Sequence, residues 1–265
     1  MRSKKQAARE GRNDTLTANA EISVAGRSIQ LNLVVPAGKV PIEAVLPLLH
    51  HFSEQVAEGV EEKSYETGKA IACRKGCGAC CRQPVPVTHA EARQLAALVK
   101  GMPEQERARV QKRFASAVQK AEDAGVNSIL RGLGGMDEKT KREGAQAYFS
   151  QGIACPFLVD ESCSIHPVRP LVCREYLVTS SPEHCEKLDG PNIHRLPFPA
   201  PITQTFGKLD SRSSGQDDRF ILLISALQWV SEHPGEGKQR PGPEWVQEFF
   251  QELSHSEIPD PSPYL

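Results

Sequence analysis

Residues 73–81 read CRKGCGACC, four thiols in nine residues with glycines at 76 and 78. Cys73, Cys77, Cys80 and Cys81 stand at i, i+4, i+7 and i+8, the spacing of one helix face. A helix is nevertheless the wrong conformation for shared chemistry. At about 1.5 Å per residue, Cys73 and Cys80 would lie about 10 Å apart along the axis. A metal bonding sulfur at about 2.3 Å cannot span that. Gly76 and Gly78 would each cost a helix about 1 kcal/mol. The stretch therefore reads as a knuckle, with glycines allowing tight turns that fold the thiols inward. Cys80 and Cys81 are adjacent, and neighbouring side chains of an extended chain point to opposite sides. Such a pair is expected to serve two nearby centres, or to leave one thiol outside the primary shell.

The rest of the chain narrows the choices. It has 265 residues, enough for one large domain or two small ones, with 39 % apolar and 25 % charged residues. The net charge of −1 provides no global field for nucleic acid or membrane. The start, MRSKKQAAREGR, is basic and has no apolar leader. No later stretch reaches the roughly 18 apolar residues of a membrane span. The expected location is cytoplasmic, with no membrane and no nucleic acid among the partners. In a reducing compartment, clustered cysteines point to metal or redox chemistry before disulfides.

A second cysteine region, CPFLVDESCSIHPVRPLVCREYLVTSSPEHC, spans 155–185. Pro156–Val159 reads as a strand, Asp160–Ser162 as a turn and Cys163–Ile165 as the returning strand. Such a hairpin would present Cys155 and Cys163 together. RPLVCREYL suits a short helix carrying Cys173, and Cys185 follows later. Arg74, Lys75 and Arg82 flank the first cluster, and Arg169 and Arg174 bracket Cys173. Cations there would offset thiolate charge, and N–H groups around Gly76 and Gly78 are candidate donors to sulfur. His166 is a candidate nitrogen ligand, with a turn role as the plainer reading. His184 is a weaker candidate, and His50, His51 and His89 read as ordinary helix residues. Glu175 and Tyr176 could act as acid–base groups in a catalytic site, but packing or ion pairing explains them as well. No P-loop, Rossmann, GxSxG or HExxH motif is present.

Two competing chemistries can be weighed. Cys77-Gly-Ala-Cys80 is a CxxC, but no βαβ pattern surrounds it as a thioredoxin-like site needs. Cys73-x3-Cys77-x2-Cys80 has the spacing of radical S-adenosylmethionine enzymes. Ala79 stands where those enzymes place an aromatic, and their strand–helix alternation is missing.

Taken together, C-x3-C-x2-CC, CPFL, CSI, RP-x2-CR and a later Cys resemble the YkgJ-like cysteine-cluster family of zinc- or iron-chelating proteins, over about residues 73–185. His166 departs from the family's tyrosine after Cys-x-Ile. The resemblance implies metal ligation by Cys73, Cys77, Cys80, Cys81, Cys155, Cys163, Cys173 and Cys185, with zinc, iron or a [4Fe-4S] cluster as the cofactor. It implies a structural, metal-handling or redox-sensing role. Some relatives are labelled flagellin lysine N-methylases, so a protein-modifying enzyme is the alternative. A protein partner is left open.

The expected fold is mainly α with small β-hairpins, an irregular cysteine-rich metal-binding core braced by helices. The expected divisions are a disordered basic terminus (1–17), an N-terminal hairpin and helix (18–68), the cysteine-cluster domain (69–190), a C-terminal helical extension (191–254) and a tail (255–265). Within these, AEISVAGRSIQLNLVV (20–35) alternates as a hairpin. Val45, Leu48, Leu49, Phe52 and Val56 mark a helix in 41–72, with Pro47 a kink or its true start. Thr88 and Glu91 form a capping box opening a helix in 85–99. Another helix follows Pro103 with Val110, Phe114, Val118 and Ala121 as its stripe. Residues 125–136 read as a loop and 137–150 as a short helix. Residues 217–233 read as the most apolar helix and 242–253 as the last one. Phe220, Trp229, Phe249 and Phe250 are assigned to the core.

Overall fold

The computed structural model describes residues 15–24, 27–126, 138–235 and 237–256. The expected disorder before residue 15, most of the 125–136 loop and nearly all of the tail lie outside these residues. The fold is mainly helical with small antiparallel hairpins, as expected.

The alternating segment pairs as β1 (Thr15–Val24) and β2 (Arg27–Pro36), in the register Asn19↔Asn32 and Ile22↔Ile29. It starts at Thr15, inside the stretch read as terminus. Ile29, Leu31 and Val35 of β2 are buried at alternate positions, the period a half-buried strand requires. A short strand, β3 (Lys39–Pro41), follows, and then a 3₁₀ turn, Ile42–Val45, leads into α1 (Leu46–Glu66). Pro47 sits in the first turn of α1, where its missing N–H costs nothing, so it marks the start and not a kink.

After the knuckle and β4 (Pro86–Val87) comes α2 (His89–Lys100). Its N-cap is Thr88 and the reciprocal bonds to Glu91 are both made, as the S/T-x-x-E pattern predicts. In α3 (Glu104–Asp123), Val110, Phe114, Ala117 and Ala121 are buried. Ala117, not Val118, completes the inward stripe, at steps of 4, 3 and 4 residues. α4 (Glu138–Ser150) matches the expected short helix.

β5 (Leu158–Val159) and β6 (Ser162–Cys163) form the second hairpin, and α5 (Leu171–Glu175) carries Cys173. Two further helices, α6 (Pro182–Lys187) and α7 (Ile202–Ser214), were not read from the sequence. The expected long helix at 217–233 is a correction. Ile221–Leu222 form β7, paired with β4 as Pro86↔Leu222, and Leu223 N donates to Val85 O at 2.8 Å. After a 3₁₀ turn, only Ala226–Glu232 is helical, as α8. Its Trp229 is half-buried and stacks between His89 and His233, 4.4 Å from each, so it borders a cleft and is not fully core. β8 (Gln239–Pro241) returns to pair with β3, and α9 (Gly242–Ser254) ends the described chain.

One apolar cluster joins β2, α1, α7 and α9 through Leu31, Leu49, Phe52, Phe206, Trp245 and Phe249. It also takes in Ala90 and Leu171, which belong to the helices beside the cysteines. A second cluster packs α2 and α3 against Phe157, Ile165 and Leu223. Cys155 and Cys163 pack against this second cluster.

Candidate metal centre

The knuckle is built by turns, as the glycines required. Cys77 N donates to Arg74 O at 3.0 Å, closing a turn whose Gly76 has φ +91°, a value costly for any side chain. Ala79–Arg82 form a 3₁₀ turn, with Cys81 N donating to Gly78 O at 3.0 Å. Gly78 is needed for a different reason. A Cβ there would lie 2.6 Å from Glu161 Oε2 and 2.8 Å from Leu158 Cδ1. Its bare Cα lets the knuckle rest directly on the β5–β6 hairpin.

That hairpin turns through Asp160 and Glu161, both with positive φ (48° and 56°), which gives the two-residue turn suited to the twist of antiparallel strands. Arg82 grips it from the knuckle, its Nη1 and Nη2 donating to Glu161 carboxylate oxygens at 2.9 and 2.6 Å. This arginine therefore clamps two loops together, and Cys81 is among the groups whose charge favours its protonated form, after Glu161 and Glu186. A main-chain bond also joins the two cysteine regions: Cys155 N donates to Cys81 O at 2.7 Å. Ala72 N donates to Val178 O at 2.8 Å, tying the entry to the knuckle onto the strand-like stretch after α5.

These ties bring the clusters together. Cys73, Cys77, Cys80, Cys81, Cys155, Cys163 and Cys173 all line one cavity of about 360 Å³. Cys185, on α6, is buried beside Ala79 and Val178, with Cys73 and Cys77 packed against the same cluster. All eight cysteines are free thiols. Among the described residues, no three or more His, Cys, Asp or Glu side chains are gathered tightly enough to hold an ion as they stand. The thiols surround a shared space and do not meet at a point.

The electrostatics follow from this crowding. Burial pushes the Cys155 thiol up to about 12 and Cys173 well above the ordinary range, each with further upward pressure from Cys80. Cys185 rises to about 11 through burial, then through Cys73, Cys80 and Cys77. Cys80 is raised first by its hydrogen bond with Cys81 and next by burial. Left to themselves, such thiols keep their protons, and a cation that displaces the protons gains the mutual attraction of several thiolates. Backbone N–H groups are already aimed at the sulfurs: Val178 at Cys73, Phe157 at Cys155 and Ile165 at Cys163 oppose the effect of burial. The donor set thus fits a thiophilic metal such as zinc or iron. The expected donors beside Gly76 and Gly78 are instead used in part for turns, since the Cys77 and Cys81 N–H groups bond to carbonyls.

The bracketing arginines divide their work. Arg174 is buried, 2 % exposed, and donates to Arg169 O at 3.1 Å, to Pro167 O and to Glu54 Oε1 at 3.3 Å. Arg169 lines the cavity and favours the thiolate forms of Cys73, Cys80 and Cys163. His166 also lines the cavity and contacts Arg169 through Nε2. His184 pairs with Asp189 at 3.1 Å. Glu175 is buried and accepts from Thr203 N at 2.7 Å and Thr203 Oγ1 at 2.8 Å, which is the packing role. Tyr176 lines the cavity, and its carbonyl accepts from Cys73 Sγ at 3.8 Å.

Sequence reasoning missed the α1 wall of the cavity. Glu54, Glu58 and Glu61 lie along it at helical spacing. The i, i+4, i+7 acid stripe was visible, but nothing local says that a helix face 20 residues before a cysteine cluster will meet it.

Comparison with known families bears on the same stretch of chain. Residues 72–189 match the CxxCxxCC family, described as a "Putative zinc- or iron-chelating domain". The match covers both cysteine regions and the elements between them, and it is the family that the order of motifs resembles. No curated protein and no solved structure was found to match the chain.

Proposed function

We propose, starting from the CxxCxxCC identity of residues 72–189, that this protein binds zinc or iron through the thiolates around the central cavity. One observation carries the proposal: thiols from two regions more than 70 residues apart line one cavity already supplied with N–H dipoles. Two sets are favoured. Cys185 is influenced by Cys73 and Cys77, and Cys173 by Cys155 and Cys163, while Cys80 acts on both groups. The adjacent Cys80 and Cys81 supply the fourth thiolate to each. The role is structural, metal-handling or redox-sensing. A four-thiolate zinc site is closed and structural, and an iron–sulfur centre in the same ligands adds redox chemistry.

Elemental analysis and an ultraviolet–visible spectrum on one anaerobic sample test this. Two equivalents of zinc, or iron with broad visible absorbance bleached by dithionite, are expected. Substoichiometric metal with eight titratable thiols overturns the reading.

An iron–sulfur-dependent protein-modifying enzyme, such as a protein lysine N-methyltransferase, is the second reading. Glu58 and Glu61 on the α1 wall are what favour it, as carboxylates that could meet a cationic side chain in a cavity where Arg174 engages Glu54 and where Arg74, Lys75 and Arg169 also line the space. Calorimetry with S-adenosylmethionine decides it, and absence of heat from the iron-loaded protein removes it.

A further inference from the structure

We propose that Glu91 is a positioning residue for the Cys173 thiolate, holding the first turn of α5 from the neighbouring helix α2. The inference rests on the metal-binding reading above and adds a residue that no cysteine motif contains.

α5 has five residues, too few to persist in water on their own. It starts at Pro170 with no side-chain cap from its own sequence. The Leu171 N–H is one of the donors a helix start leaves without an internal partner. Glu91 Oε1 accepts it at 2.8 Å. The other oxygen, Oε2, is spent on α2, accepting from Thr88 N at 2.9 Å and Thr88 Oγ1 at 3.1 Å. The capping box of α2 therefore needs only one carboxylate oxygen, and the second is committed to α5. Glu91 is 1 % exposed, and so deep a carboxylate is retained only where every oxygen is satisfied.

The other end of α5 is fixed in the same way. Glu175 accepts from Thr203 N in the first turn of α7, at 2.7 Å. α7 in turn sends Asp210, fully buried, to Ala90 N in the first turn of α2, at 2.8 Å. Three buried carboxylates thus close a ring: α5 caps α7, α7 caps α2 and α2 caps α5. Cys173 lies between the two ends of α5 that this ring holds. Metal–ligand distances tolerate errors of only about 0.2 Å, so a tilt of α5 would withdraw its sulfur from a centre fixed elsewhere by the knuckle.

The test uses the full chain loaded anaerobically with cobalt(II), reading the thiolate charge-transfer and ligand-field bands and the rate of cobalt loss to a chelator. C173S identifies the Cys173 contribution to the spectrum. T88A serves as the control, since it weakens the α2 cap but leaves the Glu91–Leu171 bond. E91Q, shown folded by circular dichroism at the assay temperature, is expected to lose cobalt about ten- to a hundredfold faster than wild type and to shift its bands toward those of C173S. T88A, at comparable loss of stability, is expected to keep the wild-type rate and spectrum. E91D retains the charge while shortening the reach to Leu171, and it takes the place of E91Q if that variant does not fold. Glu91 variants indistinguishable from T88A overturn the inference alone. A wild-type chain that takes up no cobalt, zinc or iron overturns the metal reading and this inference together.

Discussion

Gly78 places the knuckle against the hairpin by having no side chain. In Gly78→Ala the new methyl meets the Glu161 carboxylate and Leu158 Cδ1 inside 3 Å, with the Glu161 carbonyl at 3.2 Å behind them. The expected cost is about 1–3 kcal/mol in urea unfolding. His89 supports a different prediction. It is 1 % exposed, lies against Trp229 and has a buried Nδ1 with no partner. Burial, then Arg93 and His233, lower its pKa from 6.5 to about 4. The unfolded chain therefore takes up the proton first, and stability is lost as pH falls from about 6.5 toward 4. His89→Phe keeps the stack and removes the titration. Relative to wild type it should gain about 2 kcal/mol between pH 7.5 and pH 5, measured by paired denaturant curves. Asp210, raised to about 6 by burial, titrates in the opposite sense but is common to both proteins, so it cancels in the difference.

Elements with one clean amphipathic stripe and a local start signal were legible in the sequence; elements defined by distant partners were not. Thr88 and Glu91 announced α2, and Asp160–Ser162 between short apolar runs announced the β5–β6 hairpin, although Ser162 pairs with Val159 as part of β6 and only Asp160 and Glu161 form the turn. α7 escaped because its buried positions include Thr203, Thr205 and Asp210, which look like a solvated face. Residues 217–233 misled in the other direction. A continuous apolar run has no period, and what divides it is the pairing of Ile221–Leu222 with Pro86–Val87, more than 130 residues away. In the site, the cysteines were found by spacing, while the long-range capping roles of Glu91, Glu175 and Asp210 were hidden because those partners lie 28 to 120 positions off. α9 offers a test at this scale. Trp245 is fully buried, and its Nε1 donates to Val40 O at 2.9 Å. Trp245→Phe should cost about 1–3 kcal/mol, mainly from the orphaned carbonyl, and Trp245→Ala about 3–5 kcal/mol, both read from urea midpoints.

Across the whole molecule, the segments before and after residues 72–189 share a core, and the residues between them contribute to it. Leu171 and Ala90 are fully buried in the cluster built by β2, α1, α7 and α9. Residues 72–189 expressed alone would expose both and leave Glu175 without Thr203. The expected result is a fragment that melts without cooperativity by calorimetry, while the full chain melts in a resolved transition. On the metal-binding reading, a filled site acts at this scale too. A site filled at about 100 times its dissociation constant adds about 2.7 kcal/mol to the folded state. An anaerobic chelator should therefore lower the melting temperature of the full chain by several degrees, and readdition of the metal should restore it.

The bond from Cys155 N to Cys81 O belongs to the main chain, so no exchange of sulfur for oxygen can remove it. Serine at either position leaves the two loops fastened and deletes only a donor atom. Proline at 155 deletes the same sulfur and also unfastens the loops, because it has no N–H to give. Cys155→Ser and Cys155→Pro both lack the sulfur and differ in the N–H, so the difference between them reads the fastening of the loops apart from ligation.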